Sequence, residues 1–126
     1  MKIKPVSTNK APEAVGPYSQ GIKTGSLIFT SGQLPIVPET GELIKGDIKK
    51  ETRLCLEHVL TVVEAGGATL EDIVKVNIYI KDMGDFPLIN EEYEAFFKGH
   101  KPARSCVQVA KLPRDGNIEI EAIAVL

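Results

Sequence analysis

Residues 72–82 read DIVKVNIYIKD, and this stretch decides the fold. It is rich in β-branched residues and alternates with a period of two, the pattern of a strand. Val74, Val76, Ile78 and Ile80 fall on one face; Ile73, Lys75, Asn77 and Tyr79 fall on the other. Helical patterns flank it on both sides. Upstream, Ile48, Thr52, Cys55, Leu56, Val59, Leu60 and Val63 recur at steps of three and four. Asp47 is placed to cap that helix, and Gly66-Gly67 to stop it. Downstream, a second helix is expected from about Phe86 to Lys98, with Asp85 as N-cap, Pro87 in the first turn and Gly99 at its end. Its apolar side carries Phe86, Ile89, Tyr93, Phe96 and Phe97.

Further out the pattern returns to strands. Leu27 to Thr30 forms one, and Thr24-Gly25 suits a hairpin turn back to a first strand near residues 18–23. The stretch before it, rich in small residues, Pro and Gly, reads as an ordered lead-in loop. Residues 35–46, PIVPETGELIKG, read as a turn-bearing connection. Two strands are expected near 104–111 and 117–125, joined tightly by LPRDGN. The expected order is β-β-α-β-α-β-β. Right-handed crossovers would then place both helices on one face of a single sheet, an α/β (α+β) architecture in one domain over residues 1–126. The other face would be bare. In IEIEAIAV, residues 118–125, one parity holds Ile118, Ile120, Ala122 and Ala124, and the other holds Glu119, Glu121, Ile123 and Val125. The second side is acidic at one end and apolar at the other, so self-association through the sheet is expected.

The 126 residues are 43% apolar and 25% charged, a globular composition, with a formal net charge of -2. Such a balance, with few basic residues between aromatics, argues against a nucleic-acid partner. Cys55 and Cys106 form no CxxC; a reduced compartment is the simpler reading, though the two could pair. No apolar run after the first lysines suggests a signal peptide, and no segment is apolar enough for a membrane span, so a cytoplasmic protein is expected. Phosphate-loop, dinucleotide, zinc and serine-hydrolase motifs are all absent from the sequence, and neither a metal nor a cofactor is expected.

One residue stands out against this background. Arg104 opens a strand, permanently charged, where burial without a partner is expensive. It either meets a structural carboxylate such as Glu119 or Glu121, or forms a fork for a ligand's carboxylate or phosphate. A glutamate nearby could order a water or move a proton, and parity does not separate Glu119 from Glu121. Cys106 shares a face with Arg104 and Gln108, as apolar filler or pocket wall. Tyr18 sits in the Gly/Pro-framed loop GPYSQG, either as an anchor or as a pocket lid. Ser31, Gly32 and Gln33 end a strand where backbone donors become available, and Asn90 on the second helix either faces solvent or reaches into an interface. His58, His100 and Cys55 read as structural.

Taken together, APEAVGPYSQG, IFTSGQLP, VKVNIYIKDMGDF, NEEYEAFF and above all PARSCVQVAKLPRDGNIEIEAIAV resemble the RidA (YjgF/YER057c/UK114) family over essentially the whole chain. The resemblance implies a chorismate-mutase-like fold and a homotrimer, with sheets facing inward and sites between subunits. It also implies hydrolysis of reactive 2-enamino and 2-imino acids released by pyridoxal-phosphate-dependent dehydratases. Arg104 would bind the carboxylate and Glu119 would position or activate water. Cys106 would line the pocket and orient the ligand, while Tyr18, Ser31, Gln33 and Asn90 would shape the pocket. The approach KGHKPARS is short compared with some members, which could alter the rim. The competing expectation is a non-enzymatic carboxylate-binding regulator or a ribonuclease-like translation inhibitor.

Overall fold

The computed structural model describes residues 2–126. Six strands form one mixed sheet: β1 (Ile3–Val6), β2 (Gly21–Thr24), β3 (Leu27–Thr30), β4 (Ile73–Ile80), β5 (Ala103–Gln108) and β6 (Ile118–Val125), in the spatial order β1-β2-β3-β6-β4-β5. Helices α1 (Ile48–Ala65) and α2 (Phe86–Phe97) pack on one face. Strands β4 and β5 run parallel across the α2 crossover; all other neighbours are antiparallel. Strands β3 and β4 are both antiparallel to β6, so α1 also links strands of one direction, with β6 filling the gap between them.

The core lies between the helices and the sheet. Leu56, Val59 and Val63 of α1 and Ile89 and Phe97 of α2 meet Ile28, Ile78, Ile80, Ile118 and Ile120 from the strands. Burying each such side chain contributes about 1.5–3 kcal/mol, so this face fixes the register of the sheet. The start of α1 is locked in place. Asp47 accepts the Lys50 N–H, while the buried Glu51 accepts the Asp47 N–H at 3.0 Å and the Asn117 Nδ2–H at 2.9 Å. This ties the helix to the entry of β6. His58 on α1 donates from Nε2 to the Ile36 carbonyl at 2.7 Å, securing the 35–46 connection, and burial pushes its imidazole below its ordinary value. His100 holds the Ile73 carbonyl in the same way.

Several expectations are corrected. Strand β1 was not anticipated: its residues IKPV are mostly exposed and include a proline, tolerated because the strand lies at the sheet edge. The β2–β3 turn is Gly25-Ser26, one residue further on, since Thr24 pairs with Leu27. Strands β5 and β6 are not hairpin partners, because β4 lies between them. A bulge between Ile73 and Lys75 turns Val74 out to solvent and puts Ile73 in the core, breaking the alternation read from the sequence. Asp85 caps nothing with its side chain; Asp82 instead accepts the Gly84 N–H and starts a short turn that leads into α2.

Among the described residues, no helix covers the second sheet face. Leu27 pairs with Val125 and Phe29 with Ile123, which gathers the apolar end of β6 into a four-residue patch. Leu27 and Phe29 are 36% and 39% exposed in the single chain. Glu119 and Glu121 occupy the other end of the same face, opposite Tyr79 and Asn77.

Candidate active site

Arg104 stands opposite Val76 on the edge strand β5, and therefore points to the helix face. At the sheet edge its side chain emerges beside α2. One guanidinium N–H donates to Asn90 Oδ1 at 2.7 Å, and the guanidinium carbon lies 4.7 Å from the Tyr93 ring centroid and 5.4 Å from that of Phe86. Among the described residues no carboxylate pairs with it. Cys106 follows on the same face, half-buried; burial pushes its thiol up, and the Arg104 charge pulls it part of the way back. A raised thiol value disfavours the thiolate needed for a nucleophile. Gln108, next on that face, is engaged elsewhere, accepting the Met83 N–H at 2.9 Å.

A second cluster forms where β3 ends. The Thr30 hydroxyl accepts the Ala122 N–H, the chain bulges at Ser31 and Gly32, and Gln33 rejoins β6 by two backbone bonds with Ile120 at 2.7 and 3.1 Å. Into the space left by the bulge comes Glu119. A Cβ on Gly32 would lie 2.7 Å from the Glu119 carboxyl carbon, so only glycine admits the carboxyl in this place. Ser31 donates its hydroxyl proton to the Ser19 carbonyl at 2.6 Å and its N–H to the Gln20 carbonyl, fastening the loop that carries Tyr18. The buried Gln20 completes the fastening through the Thr8 backbone and the Pro12 carbonyl. A cavity of about 780 Å³ is bordered by Tyr18, Ser31, Gly32, Gln33, Arg114 and Glu119, with Tyr18 half-exposed over it.

The two glutamates, equivalent by parity, are separated by their partners. Glu121 accepts the Tyr79 hydroxyl at 2.8 Å and the Asn77 Nδ2–H at 3.1 Å. Glu119 borders the cavity, and among the described residues its carboxyl has no hydrogen-bond partner. Burial raises its carboxyl above its ordinary value, and the neighbouring Glu121 charge raises it further. A carboxyl raised in this way holds a proton more readily than an exposed glutamate, as a group that takes and returns one must.

The expected neighbourhood of Arg104 and a glutamate is not found within one chain. Arg104, Cys106 and Asn90 lie on the helix face beside β5, whereas Tyr18, Ser31, Gln33 and Glu119 gather around the end of β3 and the helix-free face of β6. In the sheet Arg104 lies opposite Val76, which pairs with Ala122, so it falls on the face away from Glu119 and Glu121. Asn90, expected to face solvent or reach into an interface, meets Arg104 of its own chain. Sequence reasoning missed Phe86 and Tyr93 as partners of Arg104 and Gly32 as the seat of Glu119. The signal for the first two was present in their spacing with Asn90. Both cysteines are free, which removes the pairing left open above, and Cys55 is fully buried against the Ile118 carbonyl. Among the described residues no group of three metal-ligating side chains comes together.

The family model described as endoribonuclease L-PSP matches residues 8–126. A 2-iminobutanoate/2-iminopropanoate deaminase of Escherichia coli is 50% identical over 125 residues, covering 97% of each chain. The chain belongs to the RidA family. Membership of RidA also agrees with a RutC family protein of Pyrococcus abyssi, 52% identical over 119 residues and covering 94% of both chains. The crystal structure of Escherichia coli TdcF with bound serine superposes on this RidA chain with a TM-score of 0.93, at 51% identity and 98% coverage of each. The mixed sheet with two helices on one face is thus the fold of RidA relatives.

Proposed function

We propose that the chain is a hydrolytic deaminase of reactive 2-enamino and 2-imino acids, such as 2-aminoacrylate and 2-iminobutyrate, yielding 2-oxo acids and ammonia. The observation that carries this reading is an oriented guanidinium that no carboxylate pairs among the described residues, in a chain half identical to a 2-iminobutanoate/2-iminopropanoate deaminase. Its free N–H groups suit a ligand carboxylate held at two points. The second cluster supplies the acid–base group. Once the enamine has tautomerised to the imine, water adds to C2. Glu119 takes a proton from that water as the O–C2 bond forms and the C2=N π pair passes to nitrogen, and it returns the proton there to give the carbinolamine. It then takes the carbinolamine hydroxyl proton and delivers it to nitrogen as the C2=O bond forms. The C2–N bond breaks in the same step and ammonia leaves. Holding C2 against the water replaces a collision with positioning. The Ser31 hydroxyl has committed its proton to Ser19, so toward a ligand its oxygen can only accept, as an imine N–H requires. Cys106, on the same strand face as Arg104, would line the pocket beside it, and Tyr18 and Gln33 border the cavity at Glu119.

Because the two clusters lie apart in one chain, a homotrimer is part of the proposal. The patch of Leu27, Phe29, Ile123 and Val125 would pack against neighbours, bringing the Arg104 cluster of one protomer to the Glu119 cluster of another. Pyridoxal-phosphate-dependent dehydratases would supply the substrate, in the cytoplasm. A second reading, a carboxylate-binding regulator without turnover, draws on the serine held by TdcF, a stable amino acid.

The test couples the purified protein to a threonine dehydratase and follows 2-oxobutyrate where spontaneous imine hydrolysis is slow. Wild type should accelerate its appearance, Arg104→Ala should remove the acceleration, and Glu119→Gln should lower it about 10²-fold or more. Glu119 must be ionised to take a proton from water. Its raised value therefore places the acidic fall in rate at a higher pH than for an ordinary glutamate. Unchanged kinetics with wild type would sink the deaminase and leave the regulator.

A further inference from the structure

We propose that Phe86 and Tyr93 are positioning residues for this reaction, forming with Asn90 a cradle on α2 that fixes the orientation of the Arg104 guanidinium before a ligand arrives. The inference rests on the deaminase reading above and deepens it. Positions 86, 90 and 93 stand at i, i+4 and i+7, so their side chains leave one stripe of the helix across two turns. All three meet the same group: Asn90 Oδ1 takes one guanidinium N–H, and the two rings lie within cation–π distance of its carbon.

The molecule contains its own control. Arg53 on α1 also lies over an aromatic ring of α2, 5.2 Å from the Phe96 centroid, but its Nε donates to the Glu92 carboxylate at 2.6 Å. Charge there is cancelled, and the arrangement is a structural tie between helices. At Arg104 the carboxylate's place is taken by the neutral amide of Asn90. An amide orients the fork without neutralising it, so the positive charge remains for an incoming carboxylate. The rings add the rest. A long, freely rotating side chain would lose its freedom only on binding, at the expense of affinity; the cradle settles that loss during folding.

The bland alternative is that both rings only fill the core. It accounts for part of Tyr93, which is nearly buried and packs on Phe97 with centroids 4.6 Å apart. It does not account for Phe86, which is only half-buried at the first turn of α2 and stands outside the core cluster. The Tyr93 hydroxyl, buried with no hydrogen-bond partner among the described residues, takes no part in the cradle; the face of its ring does. Burial pushes that hydroxyl up to about 12, so the ring under Arg104 carries no charge of its own.

The experiment measures binding of 2-oxobutyrate, a stable 2-oxo acid, to the full chain by calorimetry, with thermal unfolding recorded for every variant. Phe86→Leu and Tyr93→Leu keep an apolar side chain and lose the ring. Each should weaken binding about five- to tenfold, as expected when the ordering of one long side chain is deferred from folding to binding. The ring-keeping Phe86→Tyr and Tyr93→Phe should restore wild-type affinity. A merely structural role would show the opposite pattern, with melting shifts and affinities moving together. Should Tyr93→Leu not fold, Phe86→Leu decides alone. Binding within twofold of wild type for the leucine variants overturns the cradle, and so does weakening that the ring-keeping variants fail to repair. The deaminase reading fails separately: wild type would then show no turnover, or Arg104→Ala would bind as well as wild type. Absence of any binding by wild type overturns both.

Discussion

At Gly32 a hydrogen atom in place of a methyl group determines where the Glu119 carboxyl lies. Gly32→Ala would set its Cβ 2.7 Å from the carboxyl carbon and 2.9 Å from one oxygen. The atoms in the way belong to the end of a flexible side chain, so the glutamate swings aside and the backbone stays. Activity in the dehydratase-coupled assay should therefore fall about ten- to a hundredfold, the scale of a misplaced reacting group, with little change in the urea midpoint. A loss of stability matching the loss of activity would show that the bulge, not the carboxyl, had been disturbed. Individual residues were legible in the sequence where their chemistry was conspicuous. Arg104 draws notice because a strand seldom opens on a guanidinium. Choosing Glu119 over Glu121 is different, since both have the same parity. The choice depends on Tyr79 and Asn77, which engage Glu121 from the neighbouring strand, and that register is not written in either strand alone.

At the scale of elements, both helices were legible because three- and four-residue periodicity and local caps specify them, as Asp47 does for α1. Strand pairing was less so. An exposed edge strand such as β1 needs no apolar face and so leaves no period-two signal, and the short link between β5 and β6 favours a hairpin that the sheet does not contain. The crossover by α2 sends β5 instead to the far side of β4, a long-range outcome that no local pattern announces. Aromatic residues at helical spacing read as core, and for this reason the partners of Arg104 on α2 went unnoticed. The end of α2 permits a test. Lys98 closes the helix with φ 52° and ψ 43°, a left-handed conformation that a side chain disfavours. Lys98→Gly should stabilise the chain by about 0.5–1 kcal/mol, read as a higher urea midpoint at unchanged slope.

The whole molecule is a sheet covered on one side only. The helix-free face places Leu27, Phe29, Ile123 and Val125 together, and a monomer would leave this patch against water. Light scattering should give a mass of three protomers. Phe29→Asp, which sets a charge in the patch, should give a smaller species with its secondary structure intact. That species should have lost deaminase activity although Arg104 and Glu119 are untouched. An active monomer would refute the shared pocket. The separation of the two clusters onto opposite faces of the sheet has a genetic consequence. If pockets are shared, a chain broken at its clamp and a chain broken at its acid are not equivalent failures. Co-assembled in one cell, each can lend the other its sound half, so two null alleles together could rescue what neither supports alone.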